Sequence, residues 1–310
     1  MPAIIITEFM DEAAVARLAA RHDTLYDPRL VDDMPRLLAL LPEARALIVR
    51  NRTQVRGAVL AAGARLEIVG RLGVGLDNID TDACAARRLP VVPATGANDL
   101  SVAEWVITSA LLLLRGAYHA TDAVIAGEWP RNRLMGRELS GRVMGLVGFG
   151  AIAREVARRA RALGMDVMAH DPFVKDGDPA WALARPHGLE PLLREADVVS
   201  LHVPLTDGTR HLIDDLRLRR MRKDAVLLNA ARGGIVDEAA LALALKDGRL
   251  AGAALDVFEE EPLTAARAAI FRDCPNLILT PHIAGVTAES NIRVSTLIAD
   301  KVLAALDGGH

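Results

Sequence analysis

Aromatic side chains make up only 3% of this 310-residue sequence, which also contains only two cysteines. So few rings argue against a base-stacking platform for single-stranded nucleic acid. Cys84 and Cys274 lie far apart in the sequence with no nearby ligand-type partner, which argues against a disulfide framework and against a zinc site. We therefore expect reduced thiols, no metal ion and a cytoplasmic protein.

Long apolar runs and a strong charge of either sign are also missing. No run reaches the roughly 18 residues of a membrane span, and the first residues lack the basic and apolar segments of a signal peptide. The formal net charge of −3 gives no field that would attract nucleic acid or an anionic membrane. Only four lysines occur beside abundant arginine, a bias that we attribute to codon usage. We predict no nucleic-acid partner and no membrane partner.

The composition that is present suits two globular domains. Hydrophobic residues make up 51% of the sequence and charged residues 25%, and 310 residues allow two domains of about 100–200 residues each. In the N-terminal third, short apolar runs alternate with segments of helical spacing, which predicts a parallel α/β sheet. The predicted strands there are 3–7, 46–49 and 66–69, the predicted helices are 11–21, 34–41 and 55–62, and Pro90–Pro93 closes the unit.

The rest of the chain predicts a second, larger sheet. Residues 99 to about 127 form the longest helical pattern, apolar nearly all round at 111–114, and are either an internal core helix or an apolar segment that a second copy of the chain covers. Six strands with helices between them suit a doubly wound dinucleotide-binding sheet. A last helix over 289–306 is expected to return to the first domain. The six predicted strands are 143–147, 166–170, 197–201, 225–229, 251–255 and 277–279.

A glycine-rich turn joins the first of these strands to a helix. Gly148 permits the tight turn, and Gly150 lets backbone N–H groups approach a pyrophosphate at the helix N-terminus. Ala153 occupies the third small-residue position, where close helix–strand packing is required. The next strand ends at Asp171, where a carboxylate can bond the ribose hydroxyls of NAD and repel a 2′-phosphate. Asp171 precedes Pro172 and can also act as a turn former.

Three short runs late in the chain each supply one chemically useful group at the end of a predicted strand. They are Asn229–Asp237, Asp256–Pro262 and Pro281–Gly285, and their groups are Arg232, Glu261 and His282. A guanidinium suits a carboxylate, an imidazole can exchange a proton near neutral pH, and a carboxylate beside it favours its charged form. All three groups are expected on the cofactor side of the sheet.

These runs, together with the glycine turn and Leu201–Thr206, resemble the D-isomer-specific 2-hydroxyacid dehydrogenases, and most of all the phosphoglycerate dehydrogenases. Four earlier segments resemble segments that occur in the same order in that family: Val49–Thr53, Gly73–Asp80, Ser101–Glu104 and Gly127–Trp129. The sequence departs from the family in Ala153 for the usual glycine and in Asn51 where a serine or similar small residue is common. No regulatory domain is expected after the catalytic unit.

The resemblance implies two doubly wound domains with the active site in a cleft between them. A flavodoxin-like substrate domain would comprise residues 1–98 and 286–310, and a Rossmann NAD-binding domain residues 99–285. His282 would protonate the forming alkoxide, Glu261 would pair with it, and Arg232 would hold the substrate carboxylate. Glu259 and Glu260 compete with Glu261, which the family motif favours because it directly precedes the proline.

The resemblance also implies the binding residues. Asp256 would bond the nicotinamide carboxamide, unless it is a strand-end cap. His202 would lie near the ribose and pyrophosphate, whereas His170 is interpreted as structural. The remaining implied cofactor contacts are Gly148, Gly150, Ala151, Ile152, Asp171, Pro204, Thr209, Asn229, Ala230 and Gly285.

On the substrate side, Gly73–Gly75 is either an anion nest of backbone N–H groups or an ordinary turn. Arg50 and Arg131 hint at a distal phosphate or sulfonate, although Arg131 could be a solvated loop residue. The implied substrate contacts are Arg50, Asn51, Val74, Gly75, Asn98 and Arg131.

The resulting hypothesis is an NAD-dependent enzyme that interconverts a D-2-hydroxy acid and its 2-keto acid, most like 3-phosphoglycerate, acting as a homodimer. Hydroxypyruvate or glyoxylate reductase and sulfolactate dehydrogenase are the competing activities. A non-enzymatic alternative is an NAD-sensing protein of the corepressor kind, which uses the same scaffold.

Overall fold

The computed structural model describes residues 2–116 and 120–308. The chain forms two compact units, one running up to Asn98 and resuming at Val286, the other spanning Asp99–Gly285. That the first unit binds the substrate stays a prediction. The strands are β1 Ile4–Ile6, β2 Thr24–Tyr26, β3 Ala46–Val49, β4 Ile68–Arg71, β5 Val91–Pro93, β6 Val143–Val147, β7 Asp166–His170, β8 Arg185–Pro186, β9 Val198–Leu201, β10 Val226–Asn229, β11 Gly252–Leu255 and β12 Leu277–Leu279.

The α-helices lie between these strands, with short 3-10 turns at a few positions. They are α1 Glu12–Ala19, α2 Met34–Leu40, α3 Ala58–Ala62, α4 Thr81–Ala86, α5 Asp99–Arg115, α6 Thr121–Ile125, α7 Ala151–Ala162, α8 Leu189–Glu195, α9 Asp215–Arg220, α10 Glu238–Lys246, α11 Ala265–Ala268 and α12 Ala288–Asp307.

The first unit is a parallel sheet in the order β2-β1-β3-β4-β5, the flavodoxin-like order. Successive residues of β1 enter different cores: Ile4 and Ile6 pack with α1 and α12, whereas Ile5 packs with residues of α2, α3 and α4. Burial on both faces explains why β1 and β3 are continuous apolar runs. Helix α12 lies closely over β4, where a Cβ on Gly70 would come within 2.7 Å of Ile298.

The second unit is a seven-stranded parallel sheet in the order β12-β11-β10-β9-β6-β7-β8. Numbered from β6 and read from the β8 edge, the strands follow the Rossmann order 3-2-1-4-5-6, and β12 adds a seventh strand at the other edge. The direction in which successive strands are added reverses between β6 and β9, which is the point where such sheets bind their ligand. One core lies under α5 and α7, and the other lies under α8, α9 and α10. The predicted doubly wound α/β fold is therefore confirmed for both units.

Some element predictions were wrong. The sequence missed strands β2 and β8, and at β5 it indicated only the end of a unit. Helix α5 has 17 residues and ends at Arg115, where Gly116 follows with φ 60°, so it is shorter than the predicted 99–127 and shorter than the 20 residues of α12. Residues 117–119 of that prediction lie outside the described residues. Within the described ranges, no helix is long and apolar enough to cross a membrane.

Candidate active site

The glycine turn after β6 has the geometry that a dinucleotide requires. Gly148 has φ 88°, and a Cβ there would lie 2.6 Å from the carbonyl oxygen of His202, so only glycine fits. Gly150 is the N-cap of α7 with no side-chain cap, and a Cβ there would meet nothing within 4 Å. No side chain caps the first-turn N–H groups of α7, and the space beside Gly150 is open, as a pyrophosphate site needs. Ala153 is fully buried, which fits its predicted packing role.

The Asp171 carboxylate is fixed beside this turn. One oxygen accepts a hydrogen bond from Phe149 N at 2.8 Å, and the other accepts from Phe173 N at 2.9 Å. The second bond is the turn-forming one, so Asp171 has that role in addition to its placement at the glycine turn. Each oxygen keeps a further lone pair with which it can accept a ribose hydroxyl.

Side chains after β9 shape their own loop. His202 Nε2 lies 2.9 Å from Ser200 Oγ, and desolvation lowers the pKa of His202 to about 4, so the ring is neutral at neutral pH. Thr209 Oγ1 donates to the Pro204 carbonyl at 2.6 Å and accepts from Thr206 N at 2.7 Å. A direct contact of His202, Pro204 or Thr209 with the cofactor stays a prediction.

The loop after β10 presents Arg232. Asn229, which is buried, donates through Nδ2 to the Arg232 carbonyl at 2.9 Å and accepts from Ala231 N at 3.1 Å. Its amide therefore shapes the turn that carries the guanidinium. A Cβ on Gly233 would lie 1.7 Å from the Phe258 carbonyl oxygen, so the Arg232 loop packs tightly against the loop that leads to Glu261. Ala230 is half-buried at the start of the turn.

Glu261 and His282 form an ion pair, with Glu261 Oε2 2.7 Å from His282 Nδ1. Both side chains remain partly accessible, at 31% and 38% of their surface. Burial raises the pKa of Glu261, but the His282 contact, a hydrogen bond from Phe258 N at 3.1 Å and the charge of Arg232 outweigh it and lower that pKa overall. Because Nδ1 faces Glu261, Nε2 is the nitrogen left for a substrate.

The competing glutamates point elsewhere. Glu259 contacts His211 Nε2 at 3.1 Å, and Glu260 pairs with Arg267 at 3.0 Å. Of the three consecutive acids, Glu261 is the one that contacts His282.

Asp256 holds the loop that carries His282. Its Oδ1 accepts from the Thr280 hydroxyl at 2.5 Å and from Ile283 N at 2.8 Å, and its Oδ2 accepts from Ala284 N at 2.7 Å. His282 itself has φ 56°, a left-handed conformation that is strained for a residue with a side chain. The strand-end cap that the sequence left open for Asp256 is present, and its bond to a nicotinamide stays a prediction.

The predicted substrate residues lie on the first unit, except Arg131. Val74 N and Gly75 N donate to no acceptor in the described chain, as an anion nest requires. Asn51 is exposed, and Arg50 is half-buried. The Oδ1 atom of Asn98 is buried and has no hydrogen-bond donor among residues 2–116 and 120–308.

Arg131, on the second unit, is exposed, and over the described residues its guanidinium pairs with no carboxylate. Ala151 is exposed and Ile152 half-buried at the start of α7, and Gly285 ends the second unit. The described part of the chain holds no cluster of His, Cys, Asp and Glu that could hold a metal ion.

Sequence reasoning missed three residues that contact these groups. Glu8 accepts a hydrogen bond from Arg50 N at 2.8 Å, Asn291 accepts one from the Arg50 guanidinium at 2.7 Å, and Thr280 donates to Asp256. Glu8 could have been found, because a buried acid directly after an apolar strand needs a partner. Asn291 and Thr280 act on residues far away in the sequence, and no local pattern marks them.

The arrangement on the second unit can exchange a proton at a carbonyl oxygen beside an anchored carboxylate. His282 Nε2 gives or takes the proton, Glu261 orients the ring, and Arg232 supplies a fixed cation. The glycine turn and Asp171 offer the matching dinucleotide site, so the residues present fit NAD.

Comparisons with known proteins agree with this chemistry. The family model of the D-isomer specific 2-hydroxyacid dehydrogenase NAD binding domain matches residues 107–284. The chain is 57% identical over 307 residues to (S)-sulfolactate dehydrogenase of Chromohalobacter salexigens, with 99% of each chain covered. It is 40% identical over 267 residues to D-3-phosphoglycerate dehydrogenase of Archaeoglobus fulgidus, covering 86% of this chain and half the length of that relative.

A solved structure extends the likeness to three dimensions. D-lactate dehydrogenase from Aquifex aeolicus, complexed with NAD and lactic acid, matches with a TM-score of 0.86 and 28% identity over 98% of this chain and 96% of that one. The chain therefore belongs to the D-isomer specific 2-hydroxyacid dehydrogenases and is an NAD-dependent oxidoreductase that interconverts a D-2-hydroxy acid and its 2-keto acid.

Proposed function

We propose that the enzyme interconverts (S)-3-sulfolactate and 3-sulfopyruvate. The observation that carries the reaction is the Glu261–His282 pair at 2.7 Å, which leaves His282 Nε2 as the proton donor and acceptor beside Arg232. The substrate is supported by the relative that is 57% identical over nearly the whole length of both chains.

Each residue has a defined part in the reduction of the keto acid. Arg232 holds the carboxylate and polarises the ketone, and His282 donates its Nε2 proton to the oxygen on C2 as that oxygen gains negative charge. Glu261 stabilises the ring while it is charged. NAD, when bound in its reduced form, supplies the hydride that C2 receives. In oxidation, Nε2 takes the proton back from the hydroxyl.

The stereochemical labels of family and substrate agree. In D-lactate the carboxylate outranks the methyl group, and the descriptor is R. In sulfolactate the sulfur-bearing carbon outranks the carboxylate, so the same spatial arrangement is named S. A family that acts on D-isomers therefore accepts (S)-sulfolactate without any change of geometry at C2.

The charges of the 50–53 loop favour a distal sulfonate over a phosphate. Arg52 pairs with Asp32, whereas the described residues place no carboxylate within 4.0 Å of the Arg50 guanidinium. One guanidinium that no carboxylate contacts directly matches the single charge of a sulfonate better than the roughly double charge of a phosphate at neutral pH. We include Arg131 as a second candidate contact, and 3-phosphoglycerate is the runner-up substrate.

We further propose that the enzyme is a cytoplasmic homodimer, as the sequence predicts. Both cysteines are free, which supports a reducing compartment. Several large apolar side chains are exposed within 124–135, among them Ile125 at 80% and Trp129 at 77%, which supports a partner surface.

The test is a panel of sulfolactate, 3-phosphoglycerate, D-glycerate and D-lactate with NAD and NADP, followed by absorbance of the reduced cofactor. We expect the highest kcat/KM with sulfolactate and NAD, and a lower kcat/KM with NADP because Asp171 repels a 2′-phosphate. Arg131→Ala should cost the sulfonate substrate about tenfold or more and D-lactate little. A preference for 3-phosphoglycerate would replace the proposed substrate, and equal use of NADP would remove the role given to Asp171.

A further inference from the structure

The backbone of the loop that carries Arg50 is fixed by a buried acid. Glu8 is only 5% exposed, and its Oε1 accepts from Arg50 N at 2.8 Å and from Thr53 N at 3.0 Å, while Oε2 accepts from Arg52 N at 3.1 Å. Asn78 Nδ2 donates to the Thr53 carbonyl at 2.6 Å. The backbone position of Arg50 is therefore fixed by these hydrogen bonds.

The guanidinium of Arg50 is fixed by two neutral groups. Its Nη2 donates to Asn291 Oδ1 at 2.7 Å, and its Cζ lies 5.7 Å from the centre of the Phe9 ring. Desolvation lowers the pKa of Arg50 and the nearby Glu8 carboxylate opposes that shift, and the guanidinium stays charged at any ordinary pH. Of its five N–H donors, the described structure uses only one in a hydrogen bond.

Neutral partners orient a cation without cancelling its charge. A carboxylate in the place of Asn291 would neutralise the guanidinium and compete with an anionic ligand, as Asp32 does at Arg52. The Phe9 ring attracts the guanidinium through its face and carries no charge of its own. The remaining N–H groups stay available as a planar fork for a tetrahedral oxyanion.

We propose that Asn291 and Phe9 determine substrate specificity by holding the Arg50 guanidinium in the orientation that receives the distal sulfonate or phosphate of the 2-hydroxy acid. Both are positioning residues that act through Arg50. The proposal rests on the proposed function, since it assigns the distal group of that substrate to this guanidinium. Sulfonate and phosphate share the chemistry, and separate substrates distinguish them.

The decisive variant is Asn291→Asp, which keeps the shape and the acceptor but adds one negative charge beside Arg50. We expect KM for sulfolactate to rise about tenfold to a hundredfold, with kcat and the dissociation constant of NAD nearly unchanged. D-lactate, which is sulfolactate without the sulfonate, should keep its kcat/KM within about threefold. A parallel series with 3-phosphoglycerate and D-glycerate shows which anion depends more on the site.

Three further variants control for charge and folding. Ala304→Asp adds the same charge to an exposed position of α12, thirteen residues (about 20 Å) from Asn291, and should leave KM unchanged. Asn291→Gln keeps a neutral amide, so its KM should lie closer to the wild-type value than the KM of Asn291→Ala. If Asn291→Asp does not fold, the comparison of these two variants tests the proposal. Phe9→Leu should raise KM for sulfolactate about two- to fivefold.

The two proposals fail in different ways. If wild-type enzyme does not oxidise sulfolactate, the proposed function is wrong, and the Asn291 variants are then compared on 3-phosphoglycerate and D-glycerate. If wild-type enzyme oxidises sulfolactate but the Asn291 variants change kcat instead of KM, or leave both constants as they were, the role given to Asn291 and Phe9 is wrong.

Discussion

The two nitrogens of the His282 ring do different work. Nδ1 lies 2.7 Å from Glu261, so the ring cannot turn without breaking an ion pair, and Nε2 is left for the proton transfer. The pKa of Glu261 is lowered, with burial opposing the shift and the His282 contact, Phe258 N and Arg232 producing it. Glu261 therefore stays charged as the pH falls past 4.5, its ordinary value, and the contribution of the pair is lost only below that, as the pH passes through the lowered pKa.

We predict that His282→Ala lowers kcat by about 10²–10⁴-fold and leaves NAD binding nearly intact. Glu261→Gln should also lower kcat in both directions, because the ring loses the anion that contacts Nδ1 and holds its orientation. Steady-state kinetics of reduction and oxidation measure this. A kcat equal to that of the wild type would mean that the charge of Glu261 is not used.

Residues were predictable from the sequence where their role follows from their own strand end. Arg232, Glu261 and His282 follow β10, β11 and β12, and the carboxyl ends of these parallel strands lie at one edge of the sheet, so the topology alone groups the three residues. Asn291 was not predictable, because its contact with Arg50 joins positions 241 residues apart and no pattern in α12 marks it. Glu8 acts on a loop 42 residues further along the chain, and only its place beside a buried strand indicates a role.

At the scale of elements, the 280–284 loop shows how a strained conformation is maintained. His282 is flanked on both sides by bonds to Asp256, from Thr280 before it and from Ile283 and Ala284 after it. Desolvation raises the pKa of Asp256, and these three donors oppose that shift. Burying a carboxylate destabilises the fold unless it is hydrogen-bonded. The three hydrogen bonds offset this desolvation of Asp256 and fix the 280–284 loop.

We predict that Asp256→Asn lowers kcat by at least about tenfold, because an amide NH₂ would face backbone N–H donors and leave one of them unpaired. The loop would then no longer hold His282 in its left-handed conformation. The measurements are kcat, the dissociation constant of NAD by fluorescence quenching, and the melting temperature. If NAD affinity falls while kcat at saturating NAD is kept, Asp256 acts through the nicotinamide instead of through the loop.

Element prediction succeeded where a strand is an apolar run and failed at edge strands that lack one. The strands β3, β6, β7 and β12 have the predicted bounds. The missed strands β2 and β8 are edge strands of three and two residues, half-buried or exposed, and neither is a continuous apolar run, whereas the edge strand β12 is one. Helix α5 ends early because Gly116 takes a left-handed conformation that helical spacing alone does not reveal.

At the scale of the whole molecule, the alternation of strands and helices predicted both sheets, since it requires parallel strands with helices on both faces. It does not predict how the units are arranged, and the cleft expected between them stays a prediction. It also does not predict which surface meets another chain. That information lies in apolar side chains that remain exposed after folding.

Apolar side chains between residues 124 and 135 remain exposed in this way. Val124, Ile125, Trp129 and Met135 are exposed at 47%, 80%, 77% and 79%, all within twelve residues of sequence. Burying such side chains against a second copy would stabilise the dimer by about 25 cal/mol per Å² of apolar surface removed from water. We therefore expect a homodimer at micromolar concentration by light scattering. Ile125→Glu should shift the mass toward the monomer, because a charge would be buried at the interface.

Leu216→Glu is the matched control for this experiment. Leu216 is also exposed, at 57%, but it lies on α9, far in the sequence from 124–135, and its replacement should leave the mass unchanged. Ile125 is so exposed in the single chain that its substitution should cost little stability, and melting temperatures of both variants check this. A wild-type enzyme that is fully active and monomeric, or an Ile125→Glu variant that remains dimeric, would place the partner surface elsewhere or remove it.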